Sequence, residues 1–178
     1  MSGAFQPRSE LRLTRKHLPT NRKTMNDTLP PLSVSIKELP SMHVAYITYP
    51  LKGELGEFHK IRECFQRVQA WVKERGYDPF SQLNVGALRS VDGRPSSYDC
   101  CIQVPDQVQS SSGEVSLQEL PGGRYAVVSI RKDPAIIGDS IRRFYQEYVP
   151  QNKIEIDGQR PTYEIYFEST MEYCVPIL

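Results

Sequence analysis

The chain carries nearly the same phrase twice. Val34-Ser35-Ile36-Lys37-Glu38-Leu39-Pro40 returns as Val115-Ser116-Leu117-Gln118-Glu119-Leu120-Pro121, 81 residues later. The same offset carries Val44-Ala45 onto Tyr125-Ala126, and each copy then runs into a β-rich stretch. Two copies are too few for a solenoid, which needs about three or more stacked repeats. They predict one domain built from two pseudo-symmetric halves, neither with a complete core of its own. A cleft between the halves is then the expected place for a ligand.

Composition narrows the class. At 178 residues one domain is the default. Hydrophobic content of 39% is modest, yet a domain of this size buries roughly two-thirds of its unfolded surface. No apolar run reaches the length of about 18 residues that a membrane helix needs. The N-terminus is basic without the apolar stretch of a secretory signal. Cys64, Cys100, Cys101 and Cys174 form no CxxC pair, so reduced, buried thiols in a cytoplasmic protein are expected, and no metal site.

Charge divides the chain unevenly. Residues 1–32 carry Arg8, Arg12, Arg15, Lys16, Arg22 and Lys23 against Glu10 and Asp27, while the remainder has 16 basic and 19 acidic groups. With Pro7, Pro19, Pro30 and Pro31 interrupting it, the first segment reads as a disordered, solvated tail ahead of a domain at 33–178. Met25-Asn26-Asp27 reads as a native start. The slightly acidic body lacks the basic stripe of a nucleic-acid-binding domain.

Each half follows one plan. In the first, Val34–Leu39 and Val44–Tyr49 read as strands on either side of Pro40-Ser41. Gly53 and Gly56 punctuate, and Phe58, Ile61, Cys64, Phe65, Val68, Trp71 and Val72 recur at helical steps up to Gly76. Strands follow at Leu83–Leu88 and Asp99–Val104, with 92–97 as the turn between them. In the second, Val115–Leu120 and Tyr125–Ile130 flank Pro121-Gly122-Gly123. Asp133-Pro134 opens a helix with Ile137, Ile141, Phe144, Tyr145 and Tyr148 on one face, and Pro150 is expected to stop it. Strands close the half at Tyr163–Phe167 and Tyr173–Ile177, and Asp99-Cys100-Cys101-Ile102 rhymes with Glu172-Tyr173-Cys174-Val175. The predicted fold is α+β, a duplicated ββαββ unit: eight mostly antiparallel strands, two helices on one face, and a pseudo-two-fold relating 33–105 to 114–178.

These segments resemble the GyrI-like small-molecule-binding domain, the effector-binding domain of AraC-type and multidrug-sensing MerR-type regulators. The matching pieces are Glu38-Leu39-Pro40 with Val44-Ala45-Tyr46, Tyr98-Asp99-Cys100-Cys101, Leu120-Pro121-Gly122-Gly123-Arg124-Tyr125-Ala126, and Arg160-Pro161-Thr162-Tyr163-Glu164-Ile165-Tyr166. The resemblance spans about 33–178 and implies the duplicated SOUL/GyrI-like fold that the repeat predicts independently. It implies ligand response where the domain is fused to a DNA-binding module. For stand-alone members it implies gyrase inhibition or hydrolysis of strained-ring compounds. Thirty-two residues do not suffice for an AraC-type helix-turn-helix module, so any transcriptional role is expected to need a partner, a DNA-binding regulator or gyrase.

Glu164 is the sharpest candidate for chemistry. A lone glutamate inside a strand is ordinarily a solvated outer-face residue. Here the family's cation-sensing glutamate falls at the matching position, so the resemblance implies a ligand-facing carboxylate. Alternation places Glu164 with Tyr166 on one face and Tyr163, Ile165 and Phe167 on the other, core-packed face. A carboxylate among aromatic rings suits a flat, lipophilic cation, the rings adding roughly 0.5–2 kcal/mol each. From an inventory of ten Tyr, six Phe and one Trp, the expected walls are Tyr49, Tyr98, Tyr125, Phe144, Tyr145 and Tyr166. Trp71 joins them as a candidate, although its place on a helix stripe also suits the core.

Catalytic constellations are thin. His17, His43 and His59 adjoin no serine or cysteine nucleophile motif, and Gly53/Gly56 and Gly122-Gly123 lack the spacing of a phosphate loop or dinucleotide fingerprint. No cofactor is expected. The expected function is binding of a small cationic aromatic ligand, for effector sensing or drug sequestration linked to transcription. The alternatives are a hydrolase of electrophilic small molecules using Glu164 as general acid/base and a gyrase-inhibitor-like protein-binding module.

Overall fold

Strand order repeats the duplication seen in the sequence. The computed structural model describes residues 31–51 and 58–178. The expected tail at 1–32 falls outside them except for its last two residues, as do His17, Met25, Gly53 and Gly56. Eight strands form one sheet: β1 (Ser33–Leu39), β2 (Met42–Pro50), β3 (Asn84–Val91), β4 (Arg94–Gln103), β5 (Ser116–Leu120), β6 (Gly123–Arg131), β7 (Thr162–Tyr166) and β8 (Thr170–Pro176). Their order is β1-β6-β8-β7-β3-β4-β2-β5, and every pairing is antiparallel. Replacing each strand by its repeat counterpart (β1 by β5, β2 by β6, β3 by β7, β4 by β8) returns the same order read backwards. Register obeys the same rule: Ile36 faces Ala126, and Leu117 faces Ala45. The centre of symmetry falls between β3 and β7, where Gly86 pairs with Glu164.

The halves are not two units lying side by side. β1 pairs with β6 and β5 with β2, so each half lends its first strand to the other. The links Pro40-Ser41 and Pro121-Gly122 meet: a Cβ on Gly122 would lie 2.5 Å from the Leu39 carbonyl oxygen and 2.6 Å from the Ser41 nitrogen. The two ends of the sheet thus curl toward one another. This curl encloses a core on the face without helices, from Met42, Val44, Val85, Leu120, Tyr125, Val127, Tyr163 and Ile165 among others.

Helices cover the opposite face. α1 (Phe58–Glu74) buries Cys64, Val68, Trp71 and Val72 against Ala45, Ile47, Cys100 and Ile102. Each such aliphatic side chain contributes roughly 1.5–3 kcal/mol when fully buried. α2 (Pro134–Arg143) starts where the Asp133 carboxylate accepts the Ala135 N–H at 3.0 Å with Pro134 in the first turn. Ile136, Ile137, Ile141, Phe144 and Tyr148 pack over Ala126, Val128, Ile130 and Val175.

Two expectations need correction. Pro150 does not stop the second helix. The chain widens into a π turn at Phe144–Tyr148 and continues as α3 (Val149–Gln151). Proline lacks an N–H, and its ring would collide with the carbonyl four residues back; the wider turn removes that collision. The turn between β3 and β4 is only Asp92-Gly93, both at positive φ (51° and 72°), with 94–97 already inside β4. That is the two-residue hairpin geometry whose twist matches its strands. Among the described residues no helix is long and apolar enough to cross a membrane.

Candidate functional site

Glu164 stands on the pseudo-axis and faces the helices. Its neighbours along β7, Tyr163 and Ile165, enter the core of the other face, where they are 0% and 6% exposed. The half-buried Glu164 carboxylate is held from two sides. The Tyr98 and Tyr166 hydroxyls each donate to its Oε2 at 2.5 Å. The two phenol oxygens are 2.7 Å apart. Each phenol has one hydrogen, so two hydrogens serve three close contacts, and either phenol can donate across the pair. Charge-assisted bonds to the carboxylate are stronger than neutral ones.

Tyr98 reaches Glu164 because of a missing side chain. Its strand, β4, is separated from β7 by β3, so its ring must cross β3 at Gly86. A Cβ there would sit 1.7 Å from the Tyr98 hydroxyl oxygen. On the other side Tyr173 of β8 pairs directly with Glu164 and is 5% exposed. Its hydroxyl meets that of Tyr145, from the π turn, at 3.3 Å. Burial pushes the Tyr98, Tyr166 and Tyr173 hydroxyls upward, and the negative Glu164 pushes each further. They stay protonated as donors. Among the described residues no lysine, arginine or histidine forms an ion pair with Glu164. No group of three histidine, cysteine or acidic side chains among them is arranged to hold a metal ion.

Next to this carboxylate opens a cavity of about 950 Å³, bounded by α1, residues 80–84 and the β7–β8 turn. Phe58, Phe65, Phe80, Tyr166 and Phe167 line it. Tyr166 joins the two places: its ring lines the cavity, edge-on to Phe65 at 5.9 Å, while its hydroxyl holds Glu164. Glu164 does not itself line the cavity and lies one phenol behind its wall.

The expected wall residues divide accordingly. Tyr98 and Tyr166 contact Glu164, and Tyr145 approaches through Tyr173. Phe144 is fully buried behind Tyr145, its ring 5.2 Å away. Tyr49, on β2, pairs with Tyr98 of β4 and packs into the α1 core. Trp71, 6% exposed, belongs to that core too: its indole N–H donates to Ser112 Oγ at 3.0 Å, and the Arg75 guanidinium lies 3.4 Å from its ring centre. Tyr125 is on the wrong face. It alternates with Ala126, which faces α2, so its own ring enters the helix-free core, stacked on Tyr163 at 5.2 Å beneath Arg160. Phe167 lies beyond the end of β7, half exposed on the cavity and not in the core. Missed altogether were Gly86, Tyr173, Phe65 and Phe80. A glycine inside a strand pattern marks a close approach, so the signal for Gly86 was present.

A duplicated α+β sheet with a phenol-held carboxylate on its pseudo-axis, beside an aromatic cavity, defines a small-molecule-binding domain. The chain belongs to the GyrI-like small molecule binding domain family, whose model matches residues 32–177. Solved structures share the fold at low identity. The C-terminal domain of EcmrR is 13% identical, with a TM-score of 0.63 over 83% of this chain and 98% of that one. SAV2435, solved with tetraphenylphosphonium bound, is 15% identical, with a TM-score of 0.56 over 82% and 94%. A hydrolase from Listeria innocua is 15% identical, with a TM-score of 0.59 over 85% and 94%.

Proposed function

We propose that this domain reversibly binds a lipophilic aromatic cation at Glu164, in the cleft between its halves. The observation that carries the reading is a half-buried carboxylate with two phenol donors and no cationic partner among the described residues. A negative group in such surroundings loses water without gaining a counter-charge, and a cation that brings its own apolar surface supplies what is missing. Tyr98, Tyr166 and Tyr173 furnish ring faces and edges for stacking and cation–π contact. The binding of tetraphenylphosphonium by SAV2435 supports a ligand of this class. The domain then serves as a sensing or sequestering module in the cytoplasm, coupled to transcription through a DNA-binding partner. That EcmrR, whose C-terminal domain shares the fold, has been solved on DNA supports the coupling.

Titration with tetraphenylphosphonium tests the reading. Glu164→Gln keeps the shape and removes the charge, and its affinity should fall about tenfold or more, about 1.4 kcal/mol. A neutral ligand of the same outline should lose little. Equal binding of the cation by Glu164→Gln would sink the proposal. One feature favours a second reading, hydrolysis: both phenols hold Oε2, and Oε1, which no described residue hydrogen-bonds, can act as a base. Under that reading Glu164→Gln abolishes turnover of a neutral electrophile, such as an epoxide, while still binding it.

A further inference from the structure

Among the described residues, the lining of the cavity outside Tyr166 carries charge of the opposite sign to Glu164. Arg62 from α1 and Lys132 from the end of β6 both line it, and Glu168 is the one acid among the described lining residues. Arg62 makes no hydrogen bond or ion pair with any described residue. Lys132 spends one of its three donors on the Phe167 carbonyl at 2.8 Å and keeps two. Around them stand Phe58, Phe80 and Phe167, which are 73%, 80% and 41% exposed. Three large aromatic side chains left in water around a single cavity form an apolar patch, and such patches mark binding sites. The cavity, near the upper end of the range for ligand sites, is larger than a single ring requires.

We propose that the ligand is a zwitterion: its cationic aromatic part reaches Glu164, and an acidic group at its far end sits between Arg62 and Lys132. This rests on the reading that Glu164 holds a cation. Two features order the molecule along the site. At the inner end stands Tyr166, with the Glu164 carboxylate behind its hydroxyl, while at the outer end the described residues contribute two cations and one anion. A purely cationic ligand would be repelled by Arg62 and Lys132 at the mouth, and a purely anionic one would approach Glu164 at the end of its path. A ligand with separated charges satisfies both ends, and Phe65, Phe80 and Phe167 face its apolar middle. Exposed charges give small energies, so the outer pair tunes the choice among cations and does not create affinity by itself.

A matched pair of probes reads this directly. Carboxybutyl-triphenylphosphonium is a zwitterion at neutral pH, and its methyl ester is a cation of nearly equal size. Both are titrated calorimetrically at low ionic strength into the wild type, the double variant Arg62→Gln with Lys132→Gln, and Glu164→Gln, all as the full chain. The double variant should bind the acid about fivefold more weakly and the ester equally well or slightly better. Both probes should weaken on Glu164→Gln. If the double variant treats acid and ester alike while Glu164→Gln weakens both, the zwitterion proposal falls and the cation site stands. If the ester ignores Glu164→Gln, or neither probe binds the wild type, the cation reading falls and takes this proposal with it.

Discussion

At the scale of single residues, Gly86 and Tyr98 act as one device. The ring crosses β3 only because the strand offers it bare backbone, and its hydroxyl then ends on the Glu164 carboxylate. Adding one methyl at that point is overpacking of the severest kind, since the ring is buried and has little room to withdraw. Gly86→Ala should therefore cost about 1–3 kcal/mol in urea unfolding. In a Tyr98→Ala background the same change should cost far less, because the atoms it would strike are gone. A cost that stays the same in both backgrounds would mean that Gly86 is present for strand geometry and not for the ring. Arg160 fixes the other face in a comparable way. It pairs with Asp157 at 2.7 Å, reaches the carbonyls of Gly122, Arg124 and Ile177, and covers Tyr125. The Arg160-Pro161-Thr162-Tyr163-Glu164 segment thus holds both faces of the sheet together: one arginine for the core, one glutamate for the site.

At the scale of elements, the turns and caps follow local rules that the sequence states openly. Gly93 tests this cleanly, since a Cβ there would meet nothing within 4 Å and only its φ of 72° resists a side chain. Gly93→Ala should cost about 1–2 kcal/mol, measured by thermal or urea unfolding, and Gly93→Asn less, because asparagine tolerates this region. Equal stability of the alanine variant would show that the hairpin adopts another turn. The same logic explains what was legible beforehand. Asp133-Pro134 announced α2, the three- and four-residue steps announced α1, and the 81-residue offset announced the repeated ββαββ run of elements along the chain. The exchange of β1 and β5 was not legible, because alternation fixes which residues share a face and says nothing of which distant strand becomes the neighbour. Tyr125 was misplaced for a related reason. Both faces of this sheet are covered, one by helices and one by its own curl, so an apolar residue at either parity finds a core.

At the scale of the whole molecule, five tyrosines link folding to alkaline pH. Tyr98, Tyr125, Tyr163, Tyr166 and Tyr173 all hold their protons more tightly when folded, chiefly because burial disfavours the phenolate. In the unfolded chain a phenol ionises near pH 10. The unfolded state therefore sheds protons first, and stability, undiminished by these groups below about pH 10, falls as pH rises past it. The slope is as much as about 1.4 kcal/mol per pH unit for each phenol still protonated in the fold. Tyrosinate absorbance should accordingly show a step coincident with the loss of circular dichroism above pH 10. Full ionisation of the tyrosines with structure intact would contradict it.

Two identical chains meeting on a true two-fold must face every residue on the axis with its own copy. Glutamate at that point would set two carboxylates together, and one would be driven to keep its proton; glycine would leave the site uncharged. Here the two positions belong to one chain, and Gly86 lies opposite Glu164. One side carries the charge, and the other yields the room for the phenol that steadies it. Fusion of the halves thereby turns a symmetric scaffold into a one-sided receptor. A guest drawn to the carboxylate has one favoured orientation, where a dimer of equal halves would offer two.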